Sequence, residues 1–93
     1  MPRDERVAVA ADQWTEITGT DVSALTVQAI GGREVWLRRA GATAPAGEQG
    51  LVLRPGGAMV SGALDELWPG AGGARVWARA RGGAATAVWV SHA

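Results

Sequence analysis

SALTVQAIGGREVWLRRA, residues 23–40, is the stretch that decides the fold. Leu25, Val27 and Ala29 alternate with Thr26, Gln28 and Ile30, and beyond Gly31-Gly32 Val35 and Leu37 alternate with Trp36 and Arg38. A period of two sends successive side chains to opposite faces of a strand, whereas a helix would repeat its apolar residues at three and four. The stretch therefore predicts two strands, Ser23 to Ile30 and Glu34 to Ala40. Gly31-Gly32 predicts a tight hairpin between them, because both residues reach positive φ without steric cost.

The same rhythm runs outward in both directions. Val7 to Ala11 predicts a short strand or an extended arm, and Gln13 to Ile17 a second strand before the turn at Thr18-Gly19-Thr20-Asp21. Residues 41–50 are too small and polar to pack. Leu51-Val52-Leu53 predicts a strand closed by a Pro55-Gly56-Gly57 turn, with Ala58 to Ser61 a further candidate. Gly62 to Trp68 has the one helical pattern, long enough for a single turn. Arg75 to Arg81 and Ala85 to Ser91 predict a terminal hairpin across Gly82-Gly83. The expected fold class is all-β: a small antiparallel β-sandwich or barrel of about seven short strands, with one helical turn near residues 62–68. Residues 1–12 are expected as an N-terminal arm or first short strand, and 13–93 as a single sandwich domain.

Composition narrows the function. The chain has 93 residues and no cysteine, so it is one small domain without disulfide staples, and part of its stability is expected from self-association or docking. Nine acidic residues cancel nine basic ones, and every basic residue is arginine. A GC-rich coding sequence explains much of that bias. A neutral chain has no net field to attract nucleic acid or an anionic membrane, and neither partner is expected. Arg38, Arg39, Arg75, Arg79 and Arg81 could still gather near Trp36 and Trp77 as a single-strand binder would arrange them, but such binders carry a basic excess. No apolar run approaches the roughly 20 residues that span a bilayer, and the first residues do not read as a signal peptide.

Little in the sequence carries chemistry. His92 is the one histidine and sits next to last, where chain ends fray. Without cysteine or a second histidine, ordinary zinc and iron sites are not expected. Asp12, Glu16 and Asp21 lack the spacing of a calcium loop. Asp65 and Glu66 suit the start of the helical turn through its dipole. Gly70 to Ala74 lacks the Lys-Ser/Thr ending of a phosphate loop. No catalytic residue, metal or cofactor is expected, and the chain does not read as an enzyme.

What stands out is tryptophan: Trp14, Trp36, Trp68, Trp77 and Trp89 are the only aromatic residues. Trp14 and Trp68 are expected in the core or as a lid. Trp36, Trp77 and Trp89 each lie between two aliphatic residues, so in a strand their indoles leave the aliphatic layer and line a second surface. Three uses of that surface stay open: a second core, a protein interface rich in Trp and Arg, or a platform on which sugars stack. The candidate site residues are Trp36, Arg38, Trp77, Arg79 and Trp89.

Five segments add a resemblance. Trp14-Thr15-Glu16-Ile17-Thr18, Ala24-Leu25-Thr26-Val27-Gln28-Ala29, Val35-Trp36-Leu37-Arg38, Leu53-Arg54-Pro55-Gly56 and Val76-Trp77-Ala78-Arg79-Ala80 follow one another across nearly the whole chain. In this order they resemble small β-rich accessory virion proteins of tailed bacteriophages and the related gene transfer agents. Such sequences often place a turn-forming Asn after the glutamine. Ala29 stands there in this chain, which moves the expected hairpin to Gly31-Gly32. The resemblance implies a virion component of head decoration, fibre, spike or tail type.

The combined expectation is a non-enzymatic structural virion protein, assembled in the host cytoplasm. As a capsid decoration (cement) protein it would bind the major capsid protein or another virion protein and form a homo-oligomer. The alternative expectation is a carbohydrate-binding fibre or spike module that contacts the host surface.

Overall fold

A computed structural model describes residues 3–11, 13–18, 22–41, 43, 51–69, 73–80 and 84–92. Among them are eight strands, β1 (Arg3–Val9), β2 (Thr15–Glu16), β3 (Ala24–Ala29), β4 (Val35–Ala40), β5 (Leu51–Leu53), β6 (Met59–Ala63), β7 (Arg75–Ala80) and β8 (Thr86–His92). One helical turn, α1 (Leu64–Leu67), follows β6. The all-β expectation holds, with eight strands where about seven were expected and the helical turn inside the predicted window.

The strands form two four-stranded antiparallel sheets, ordered β1-β8-β3-β6 and β2-β7-β4-β5. The pairing is nested: β1 with β8, β2 with β7, β3 with β6 and β4 with β5. Cross-pairs β3 with β8 and β4 with β7 complete the sheets. Nested pairing in two facing sheets is the jelly-roll arrangement.

This topology overturns both predicted hairpins. β3 and β4 lie in different sheets, so Gly31-Gly32 crosses from one layer to the other instead of reversing within one. Neither glycine has positive φ. Gly31 is needed for close approach, since a Cβ there would fall on the Thr86 hydroxyl and 3.2 Å from the Ala87 nitrogen. β7 and β8 are also split between the sheets, and Gly82-Gly83 lies outside the described residues. Pro55-Gly56-Gly57 is a turn as predicted, with φ of 91° and 100° at its glycines. It too joins strands of different sheets. Gly57 N–H donates to the Ala29 carbonyl (3.0 Å) and Ala29 N–H to the Ala58 carbonyl (2.8 Å), which fastens the turn to β3.

The N-terminal segment is part of the body. β1 pairs with β8 along its whole length, from Arg3 opposite His92 to Val9 opposite Thr86. The described part of residues 1–12 is thus an edge strand packed by Val9, leaving no free arm there. The chain end expected to fray is also held, the His92 backbone facing Arg3 and Leu25.

The core lies between the sheets, and the two-residue period explains its membership. Leu25, Val27, Ala29, Val88 and Val90 face inward from the first sheet. Val35, Leu37, Leu53, Val76, Ala78 and Ala80 meet them from the second. Ile17, Val22 and Leu64 complete the buried cluster, and Leu67 and Trp68 pack against it. Leu64 N–H donates to the Ser23 carbonyl (2.9 Å), which aims the buried Leu64 into that cluster.

Arg39 interrupts the apolar inward phase of β4. Its side chain is 12% exposed and its Nη1 lies 2.7 Å from Asp65 Oδ1, while Nε–H donates to the Gly73 carbonyl at 2.7 Å. One guanidinium therefore ties β4 to the helical turn and to the link before β7. Arg39→Ala is expected to lower stability by about 2 kcal/mol, because it removes a charge-assisted bond to that carbonyl and the packing of a mostly buried side chain. Asp65 is 87% exposed, so Asp65→Asn should cost under about 0.5 kcal/mol. Urea denaturation of both variants checks this; equal losses would show that the ion pair, not the carbonyl bond, holds the corner.

Candidate functional surface

The outer face of the second sheet is built from tryptophan and arginine by strand phase and register together. On β4, Trp36 and Arg38 alternate with buried Val35 and Leu37; on β7, Trp77 and Arg79 alternate with buried Val76, Ala78 and Ala80. Both strands carry Trp-x-Arg, and they run antiparallel. The register sets Trp36 opposite Arg79 and Arg38 opposite Trp77. Directly opposite residues have Cβ atoms about 5 Å apart, within reach for a guanidinium and an indole face. Each arginine thus stands beside an indole, in a two-by-two checkerboard.

Neighbouring strands extend it. Glu16 on β2 is opposite Trp77, and its carboxylate lies 3.3 Å from Arg75 Nη1 without the alignment of a hydrogen bond. Trp14, half-buried, precedes β2 in the phase of Glu16. On the other side Val52 of β5 is opposite Trp36 and 47% exposed. The indole N–H groups are fixed: Trp36 Nε1 donates to Glu34 Oε1 (2.9 Å) and Trp77 Nε1 to the Gly41 carbonyl (3.0 Å). Trp36 and Trp77 are half-buried by the chain's own side chains. The second surface is therefore partly covered from within.

Trp89 does not belong to this surface. It lies between buried Val88 and Val90 on β8, a central strand of the first sheet, and its indole leaves the sandwich on the opposite side from Trp36 and Trp77. The three share a strand phase, but that phase means "away from the core", and the core has two outsides. Trp89 is 43% exposed, the largest exposure of a tryptophan among the described residues. The five candidate residues thus divide into a foursome, Trp36, Arg38, Trp77 and Arg79, and a separate Trp89. A three-indole platform is not formed.

Of the five arginines that a single-strand binder would gather, Arg38, Arg75 and Arg79 share the second sheet's outer face, Arg39 turns to the sandwich end, and Arg81 lies outside the described residues. Asp12 and Asp21, which a calcium site would have to bring to Glu16, also lie outside them. Among the described residues no three His, Asp or Glu side chains gather as metal ligands, and no helix is long and apolar enough to cross a membrane. Glu16 and Arg75 belong to the surface as well, although the sequence weighs them only for a calcium loop and a single-strand binder. Their signal is the outward phase each shares with a neighbouring Trp, two residues away in both cases. In comparisons with known proteins, no family model, no curated protein and no solved structure matches the chain.

Proposed function

We propose that this protein is a non-enzymatic structural component of a virion, a capsid decoration protein that docks on other virion protein and self-associates. The observation that carries this reading is the Trp36–Arg79 and Trp77–Arg38 checkerboard on the outer face of the second sheet. Trp and Arg are the residues most enriched at protein–protein hot spots. Here both indoles are held by their N–H bonds to Glu34 and the Gly41 carbonyl, so less side-chain entropy remains to be lost on docking. Exposed Val52 continues the face on its β5 side. The resemblance of the five segments to phage accessory proteins points the same way. So does the jelly roll, an architecture used by viral capsid domains, although fold analogy alone assigns no function. In a closed homo-oligomer every copy would bury the same patch.

The test is Arg38→Gln with Arg79→Gln, which keeps much of the side-chain bulk and removes both guanidinium groups. Circular dichroism should show an intact sheet. Sedimentation equilibrium should show self-association weakened by about tenfold or more, and co-sedimentation with phage heads lacking the protein should fall likewise. A wild-type chain that stays monomeric at every concentration and ignores such heads would overturn the reading.

A further inference from the structure

The opposite face of the molecule has a different chemistry. Across the first sheet the register gives one straight row, Arg6–Trp89–Gln28–Met59, one residue from each strand. The adjacent row runs from Asp4 at the β1 edge through Ser91 and Thr26 to Ser61. Thr26 and Ser61 hydroxyls share a hydrogen bond (2.7 Å), and Gln28 Nε2 donates to the Gly57 carbonyl (3.3 Å), so these polar groups are held in place while the Gln28 carbonyl oxygen points elsewhere in its amide plane. At the centre of the face, one exposed indole therefore stands between Arg6 and Gln28, with the hydroxyls of Ser91, Thr26 and Ser61 in the row beside it.

We propose that Trp89 is the stacking platform of a carbohydrate site on this face, taking pyranose residues whose hydroxyls bond to Arg6, Gln28, Thr26, Ser91 and Ser61. This goes beyond the virion reading, which uses the other sheet. An indole offers a flat apolar face with a negative quadrupole, complementary to the C–H face of a pyranose. Neighbours on the sheet lie about 5 Å across strands and about 7 Å along them, which sets donors and acceptors around one ring. The polar surroundings argue against a second copy as the occupant. A flat partner would have to desolvate Arg6, Gln28, Ser91 and the Thr26–Ser61 pair around one indole, whereas sugar hydroxyls bond to them.

Titration of the ¹⁵N-labelled protein with cellohexaose, mannohexaose and hexa-N-acetylchitohexaose tests this by NMR. The Trp89 indole N–H signal should shift saturably with at least one of them. The Trp36 and Trp77 signals should stay still, since both N–H groups are bonded on the other sheet. Trp89→Ala should weaken binding by about tenfold or more with Trp89→Phe in between, and unmoved Trp36 and Trp77 signals certify each variant's fold. No Trp89 shift with any of the three sugars at millimolar concentration overturns the proposal. So does a Trp89 signal that moves with protein concentration alone, which would mean that another copy covers the face.

Discussion

Replacing Gly73 by alanine should destabilise the protein by about 3 kcal/mol or more, a large part of the stability of a domain this small. Two penalties meet at this residue. Its φ is 92°, a conformation that costs an L-residue about 1 kcal/mol or more. An alanine Cβ would also fall on the Ala40 carbonyl and the Gly41 nitrogen. These are backbone atoms at the end of β4 and cannot turn aside as a side chain would. The corner is held from the other side as well, by Arg39 donating to the Gly73 carbonyl at 2.7 Å.

Other glycines separate the two penalties. Gly56 has φ of 91° and open space within 4 Å of where a Cβ would stand, so Gly56→Ala should show the backbone penalty alone, about 1 kcal/mol. Gly31 has no positive φ but meets Thr86, so Gly31→Ala isolates the contact. Gly32 has neither, and Gly32→Ala should be neutral or slightly stabilising through the unfolded chain. Thermal unfolding of the four variants ranks them. Since about 1 kcal/mol moves the midpoint of such a domain by about 4–8 °C, Gly73→Ala should lose about 12 °C or more. A Gly73→Ala midpoint no lower than that of Gly56→Ala would show that the peptide contact at Ala40 is not a constraint.

The same glycines show where sequence reasoning stops. Strand phase is legible residue by residue: Leu25, Val27, Val35, Leu37, Val76, Val88 and Val90 each share a face with the next apolar residue as alternation predicts, and the structure makes that face the core. Partner choice is not, because alternation names the face a side chain takes and says nothing of the strand beside it. Gly31-Gly32 carries the composition of a hairpin turn, yet a sheet crossover also needs small residues where two layers pass closely. The nested pairing is non-local and leaves no short-range signature. For the same reason the sequence assigns Trp89 the strand phase of Trp36 and Trp77 but does not show that its side of the sandwich is the opposite one. The checkerboard is closer to legible. Two Trp-x-Arg strands, paired antiparallel about the residue between Trp and Arg, place each Trp against an Arg without further information.

The second large effect concerns how the core is filled. Three members of the buried cluster are alanines, Ala29, Ala78 and Ala80, so few large side chains fill the space between the sheets. Leu37 is among the largest fully buried ones, and it lies on β4 directly opposite Ala78 of β7, on the same inner face. Leu37→Ala should cost about 3 kcal/mol, from lost burial and from a cavity that paired strands on both sides of β4 hinder from collapsing. Ala78→Leu should cost about 1–3 kcal/mol for the opposite reason, since the added atoms enter a space that Leu37 already fills. Together they exchange volume between two facing positions. If the two residues share one space, Leu37→Ala with Ala78→Leu should be more stable than the sum of the single losses by about 1–2 kcal/mol. Urea denaturation of the three variants gives that coupling. Strict additivity would mean that the two side chains do not share a space, and hence that β4 and β7 are not in the register that also forms the Trp/Arg surface. The core swap thus tests the outer face from the inside, because one strand register fixes both.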